Sequence, residues 1–200
     1  MKTWFKSIFY SLLLLFALAV AINFHYFYAN FKFAVFGKPA VLDERFRKAV
    51  SGEQAVMERN YLLIPSLGIQ APVVYAAEKS DQAFSKALEG GVVHYPGTAL
   101  PGERGNAYIF GHSSDYPWKA GDYKTVLALL PKIAVGAEIL VSDPSGAIFR
   151  YRVTKTLVAG SDDTGLLDQY NYQKQVLTLQ TSYPIGTALK RFIVLAELEK

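Results

Sequence analysis

No cysteine occurs anywhere in the 200 residues, which excludes a disulfide framework and any thiolate metal site. Histidine is nearly as scarce: His25, His94 and His112 are the whole set, too few and too scattered to indicate a metal centre. There is no block of one charge. Lys and Arg total 21 against 17 Asp and Glu, interspersed along the chain, so the net charge of +4 leaves no nucleic-acid footprint. It permits only a mild attraction to anionic lipid or polymer. Internal repeats and low-complexity tracts are also missing, which argues against a solenoid or an array.

What is abundant is apolar sequence at the N-terminus. Residues 8–22 carry no charge, and aromatic character continues through Tyr26, Phe27 and Tyr28 until Lys32. A helix needs about 20 residues to cross a hydrocarbon core of roughly 30 Å, and residues 7–28 supply that length. Lys2 and Lys6 before the span favour a cytoplasmic N-terminus, a bias that Lys32 and Lys38 after it dilute. The expectation is an uncleaved signal-anchor that makes a single pass through the cell membrane. Cleavage after Ala19-Val20-Ala21 is the competing reading, and the apolar stretch running past that point speaks against it. Both readings put residues 40–200 outside the cytoplasm. The chain then divides into an anchor over 1–30, a stalk and linker over 31–56, and one folded domain over 57–200. Within the linker, residues 43–50 form a helix candidate ended by Gly52.

The domain of about 160 residues is large enough for one sizeable core. Its pattern is one of short apolar runs between turn residues. Tyr61-Leu62-Leu63-Ile64 stops at Pro65, and Ala71-Pro72-Val73-Val74-Tyr75 follows Gly68. Residues 107–110 precede Gly111, and Asp143-Pro144-Ser145-Gly146 is a turn signal between residues 139–141 and 148–153. Runs over 175–181 and 192–198 complete the set. Residues 83–88 and 123–130 are the helix candidates, and residues 90–106, dense in Gly and Pro, read as an extended loop. Many short strands at close spacing predict an all-β, closed barrel with a few short helices.

Two strings carry chemistry. The first is His94-Tyr95-Pro96-Gly97-Thr98-Ala99-Leu100-Pro101-Gly102-Glu103, followed by Gly111-His112-Ser113 at the end of a strand. The second is Thr178-Leu179-Gln180-Thr181-Ser182, with Arg191 nine residues later. Together they resemble the sortase family, whose active-site strand reads Thr-Leu-x-Thr-Cys with a downstream Arg. The resemblance covers residues 60–197 and implies a sortase-like β-barrel that cleaves and rejoins a peptide sorting signal of the LPxTG kind. The implied partners are that signal on surface proteins and an amine acceptor. By the same match His112 is the catalytic imidazole, Arg191 the oxyanion or substrate clamp, and Ser182 stands where the family has its cysteine. His94 belongs to the preceding loop and reads as structural. No cofactor and no metal is expected, the acidic residues of 161–168 reading as a solvated loop.

The local geometry points the same way. If residues 175–182 and 190–198 are antiparallel neighbours, the end of one faces the start of the other, so Ser182 and Arg191 share a rim. His112 joins them if its own strand adjoins that pair. A serine hydroxyl ionises far less readily than a thiol, so it needs a general base and normally a third group holding that base. Asp115, three residues past His112, is a candidate orienter that only geometry can test. Ser182 fits three situations: a serine nucleophile, a silent relative that binds peptide without turning it over, or a cysteine replaced by serine in this chain.

Overall fold

Alternation along the strands decides which side chains turn inward. The computed structural model describes residues 2–22, 24–36, 57–116, 118–169 and 173–199. Eight strands follow two N-terminal helices: β1 (Tyr61–Ile64), β2 (Ile69–Tyr75), β3 (Val92–His94), β4 (Gly105–Phe110), β5 (Glu138–Ser142), β6 (Ile148–Gly160), β7 (Gln175–Tyr183) and β8 (Lys190–Leu198). They close into a barrel in the order β1-β2-β3-β4-β7-β8-β6-β5. Every second residue feeds one core: Ile69, Ala71 and Val73 of β2, Ala107 and Ile109 of β4, Leu177 and Leu179 of β7, Val194 and Ala196 of β8. A period of two is the strand's own geometry.

Six of the eight ladders are antiparallel, and β2–β3 and β4–β7 are parallel. The β2–β3 crossover contains the helix α3 (Asp81–Leu88), whose N-cap Ser80 hydroxyl accepts from the Ala83 N–H at 3.2 Å. Such a cap satisfies one of the helix's orphan donors. In β6 the register with β8 shifts between Val153 and Lys155. This bulge turns the face of the strand, so Ala159 lies opposite Arg191.

The structure differs from the sequence reading at two elements. Residues 123–130 form turns that lead into a 3-10 helix over Leu130–Lys132, not an α-helix. The Leu127 N–H donates to the His112 carbonyl at 2.9 Å instead of to the carbonyl four residues back, while Val126 and Ala128 close three-residue turns. β3, within the Gly- and Pro-rich stretch that reads as an extended loop, is a three-residue strand held by neighbours on both sides. Tertiary pairing overrides weak local preference there. The helix candidate at 43–50 lies outside the described residues.

The N-terminal segment is α1 (Lys2–Ile22) followed by α2 (Phe24–Phe36). Trp4–Ala21 is long and apolar enough to cross a membrane. Trp4, Phe5, Leu14 and Phe16 are exposed.

Candidate active site

The parallel β4–β7 ladder and the antiparallel β7–β8 ladder bring the three candidates together. Phe110 pairs with Gln180, and one residue further the Gly111 N–H donates to the Gln180 carbonyl at 3.1 Å. The buried Thr181 hydroxyl returns a bond to the Gly111 carbonyl at 2.9 Å. His112 therefore leaves β4 at the level of Ser182. Across β7, Ser182 is the direct partner of Arg191, and directly opposed residues project from the same face.

That face is the outside of the barrel. Ala107 and Ile109 point into the core, and a Cβ on Gly111 would meet Val92 and Leu127 of that same core, so the alternate positions Tyr108, Phe110 and His112 turn outward. In β7 the outward set is Thr178, Gln180 and Ser182, and in β8 it begins at Arg191. His112, Ser182 and Arg191 are all partly exposed. Sequence reasoning placed them at a rim but overlooked the polar positions that extend this face: Asn106, Tyr108, Thr178 and Gln180. The signal was present, as polar or amphipathic residues alternating with apolar ones inside otherwise apolar strands.

Those four residues form a hydrogen-bonded floor. Thr178 Oγ1 donates to Asn106 Oδ1 at 2.8 Å, and Asn106 Nδ2 donates to the Leu166 carbonyl at 2.7 Å. The Tyr108 hydroxyl donates to Gln180 Oε1. Asn106 and Thr178 are fully buried, and this network satisfies groups that would otherwise carry a desolvation cost. Because Leu166 belongs to the β6–β7 connection, the acidic segment 161–168 is tied to the outer face at the end of β4 remote from His112. On the other flank Phe84 of α3 packs on Phe110 and Tyr95, with ring centroids 5.1 and 5.5 Å apart.

The electrostatics around His112 come from its own loop. Burial pushes its pKa below the ordinary 6.5, Asp115 works in the opposite direction, and Lys119 adds to the lowering. The ring is thus neutral, as a base must be, at neutral pH. His112 Nε2 lies 3.5 Å from Asp115 Oδ2, and Lys119 Nζ lies 2.9 Å from Asp115 Oδ1. Partial burial raises the Asp115 pKa, but bonds from Lys119 and the Tyr116 N–H, with the His112 charge, outweigh it and hold the carboxyl below its usual value. The backbone is pinned as well: Leu127 N–H on the His112 carbonyl, and the Gly186 N–H on the Ser114 hydroxyl at 3.0 Å, which joins the β7–β8 loop to the histidine loop. Arg191 Nη1 donates to the Ala188 and Lys190 carbonyls at 3.0 and 3.2 Å, so its fork is turned toward its own loop.

His94 is not in this group. It is buried on the inward side of β3, with Nε2 donating to the Ala99 carbonyl at 2.8 Å and its ring 5.0 Å from that of Tyr75. Burial lowers its pKa. Among the described residues, no group of three or more His, Asp and Glu side chains is disposed to hold a metal ion.

The architecture is thus a closed eight-stranded barrel with a histidine just past the end of β4 and a serine and an arginine paired on the next two strands. The Sortase domain model matches residues 62–199, and the chain belongs to the sortase family. Sortase D of Bacillus subtilis (strain 168) is 26% identical over 155 residues, covering 76% of this chain and 69% of that protein. Among solved structures, a Clostridium perfringens sortase D5 transpeptidase is 26% identical, with a TM-score of 0.57 over 80% of this chain and 90% of that one. Sortase E of Streptomyces avermitilis is 27% identical, with a TM-score of 0.55 over 70% and 86%. Sortase C-1 of Actinomyces oris, at 21% identity and a TM-score of 0.59 over 90% and 98%, shares the fold.

Proposed function

We propose that this chain is a membrane-anchored sortase-type acyl transferase that uses Ser182 as nucleophile, His112 as general base and then acid, and Arg191 as oxyanion or substrate clamp. Its substrate class is an extracytoplasmic protein carrying an LPxTG-like sorting signal, and an amine resolves the acyl-enzyme. The observation that carries the reading is the cross-strand pairing of Ser182 with Arg191, beside the His112 that ends the adjoining strand. A base near neutral is needed for a hydroxyl nucleophile, and the depressed His112 pKa suits that task. The guanidinium keeps its charge and offers a rigid fork of donors, which suits a developing oxyanion once it swings from the Ala188 and Lys190 carbonyls.

A second reading has its own support. A serine at this position and an arginine engaged with its own loop also describe a module that grips an extended peptide without turning it over. Intact mass separates the two. The full chain in detergent micelles, incubated with a sorting-signal peptide, is expected to show an acyl adduct on Ser182 and a new amide when an amine is added. Ser182→Cys should raise transpeptidation by about 10²-fold or more, because a thiolate is the better nucleophile. His112→Ala or Arg191→Ala should abolish the gain. Peptide binding with neither adduct nor product, in both the serine and the cysteine forms, would leave only the binding module.

A further inference from the structure

We propose that Asp115 is the positioning residue of this site: it accepts the Nε2 proton of His112 and so presents Nδ1 to Ser182. The role of Ser182 as nucleophile rests on the function proposed above; the His112–Asp115 pairing does not. Three observations converge. Asp115 Oδ2 and His112 Nε2 are 3.5 Å apart, the long separation that catalytic hydrogen bonds often show before substrate binds. The Asp115 side chain is only 11% exposed, so its charge acts through little water. The Tyr116 N–H donates to Oδ1 at 2.8 Å, which aims Oδ2 at the imidazole.

A hydroxyl nucleophile is where such a group matters. A cysteine and a histidine can rest as an ion pair, whereas serine gives up its proton only in the transition state, to an imidazole already in the right tautomer. In the acylation step Ser182 Oγ bonds to the peptide carbonyl carbon, the carbonyl π pair moves onto oxygen, and the Oγ proton passes to His112 Nδ1. On collapse the C–N bond breaks and the same proton leaves on the amine. Asp115 stays ionised throughout and faces the imidazolium that forms between the two events. Between His112 and Leu127 the charged side chains are Asp115, Lys119, Asp122 and Lys124, of which Asp115 and Lys119 act on the imidazole; Arg191 stands across β7. Lys119 competes with His112 for the same carboxylate from the Oδ1 side, 2.9 Å away, so it sets how much of that charge the imidazole feels.

The test reads the imidazole directly. The full chain, with labelled histidines in detergent micelles, is titrated by NMR as wild type, Asp115→Asn and Lys119→Met, and the His112 signal is assigned by its loss in His112→Gln. Asn retains the acceptor for the Tyr116 N–H, so the loop geometry is preserved. Asp115→Asn should move the His112 midpoint down and Lys119→Met should move it up. The neutral wild-type ring should carry its proton on Nε2. An unchanged midpoint in Asp115→Asn, or a proton on Nδ1 in the wild type, overturns the proposal. A fluorophosphonate probe on the same samples reports the nucleophile. Its rate at Ser182 should fall at least about ten-fold in Asp115→Asn and survive in Lys119→Met. Shifts as expected without labelling of any form would support the pairing and instead remove the serine-nucleophile reading of the previous section.

Discussion

At the scale of single residues, protonation is where environment most alters what a side chain can do. His94 and His112 both titrate below the ordinary value of 6.5, chiefly because burial disfavours the charged ring. Between their folded midpoints and 6.5 the unfolded chain binds more protons than the folded one. Stability therefore rises with pH through that window and falls as pH drops through it. Asp115, held below its usual 3.8, contributes stability that is present above that value and is lost only as pH falls through its folded midpoint. All three effects have the same sign. The melting temperature of the chain should be level above about pH 7 and should decline from about pH 6.5 downward. A melt series over that range checks it; a level profile down to about pH 5 would mean that neither histidine is held neutral by the fold. Of the residues proposed for the site, His112, Ser182 and Arg191 were legible as types in a recurring order. Asn106, Tyr108, Thr178 and Gln180 were not singled out, because a polar side chain in a strand reads as solvent-facing until something is known to cover it.

At the scale of elements, the site depends on β4 ending where it does. Gly111 lies at the junction between the β4–β7 ladder and the histidine loop. A Cβ there would come 2.9 Å from Val92 Cγ1 and 3.0 Å from Leu127 Cδ1, both in side chains packed in the core. Leu127 also supplies the N–H that holds the His112 carbonyl, so a push on it is a push on the imidazole. Gly111→Ala should destabilise the fold by about 1–3 kcal/mol, the usual cost of overpacking, measured by urea denaturation. It should also slow acyl transfer by displacing His112. Unchanged stability would show that the core yields there without cost. The strands expected over 61–64, 71–75 and 148–153 followed from apolar runs and turn residues, and the structure extends the second back to Ile69 and the third on to Gly160. The helix candidate over 123–130 failed for a reason its own residues do not contain: the Leu127 N–H has a better-placed acceptor on another segment. β3 failed for the complementary reason, since three residues between glycines and prolines acquire strand character only from partners on either side.

At the scale of the whole molecule, the chain joins an uncovered apolar helix to a barrel with a polar site on its outer wall. Trp4–Ala21 has the length and composition of a membrane span, and the anchored reading makes a prediction about topology. In cells, protease added from outside should remove the barrel of residues 57–200 while the N-terminal segment stays in the membrane. A mature N-terminus at Ile22 would instead mean cleavage and release. On the anchored reading, a membrane would confine the barrel to two dimensions and so raise the effective concentration of any substrate in the same membrane without a new contact.

Length, composition and order of motifs determined the broad outcome from the sequence alone: an apolar N-terminal helix, an all-β barrel and membership of one family. These are local or cumulative properties, carried by the period of two, by turn residues and by short strings such as Thr178 to Ser182. The tertiary structure decided everything that depends on which strands become neighbours. The parallel pairing of β4 with β7, the bulge that sets Ala159 opposite Arg191, and the face on which the polar row emerges all join segments dozens of residues apart. The Leu127 contact that fixes the His112 backbone does the same over a shorter span, from 112 to 127. Asp115 shows the division most clearly. Its three-residue separation from His112 was visible in the sequence, but a loop of that length can turn its carboxylate either way. Only the packed loop, with Tyr116 N–H and Lys119 on one oxygen, leaves the other facing the imidazole.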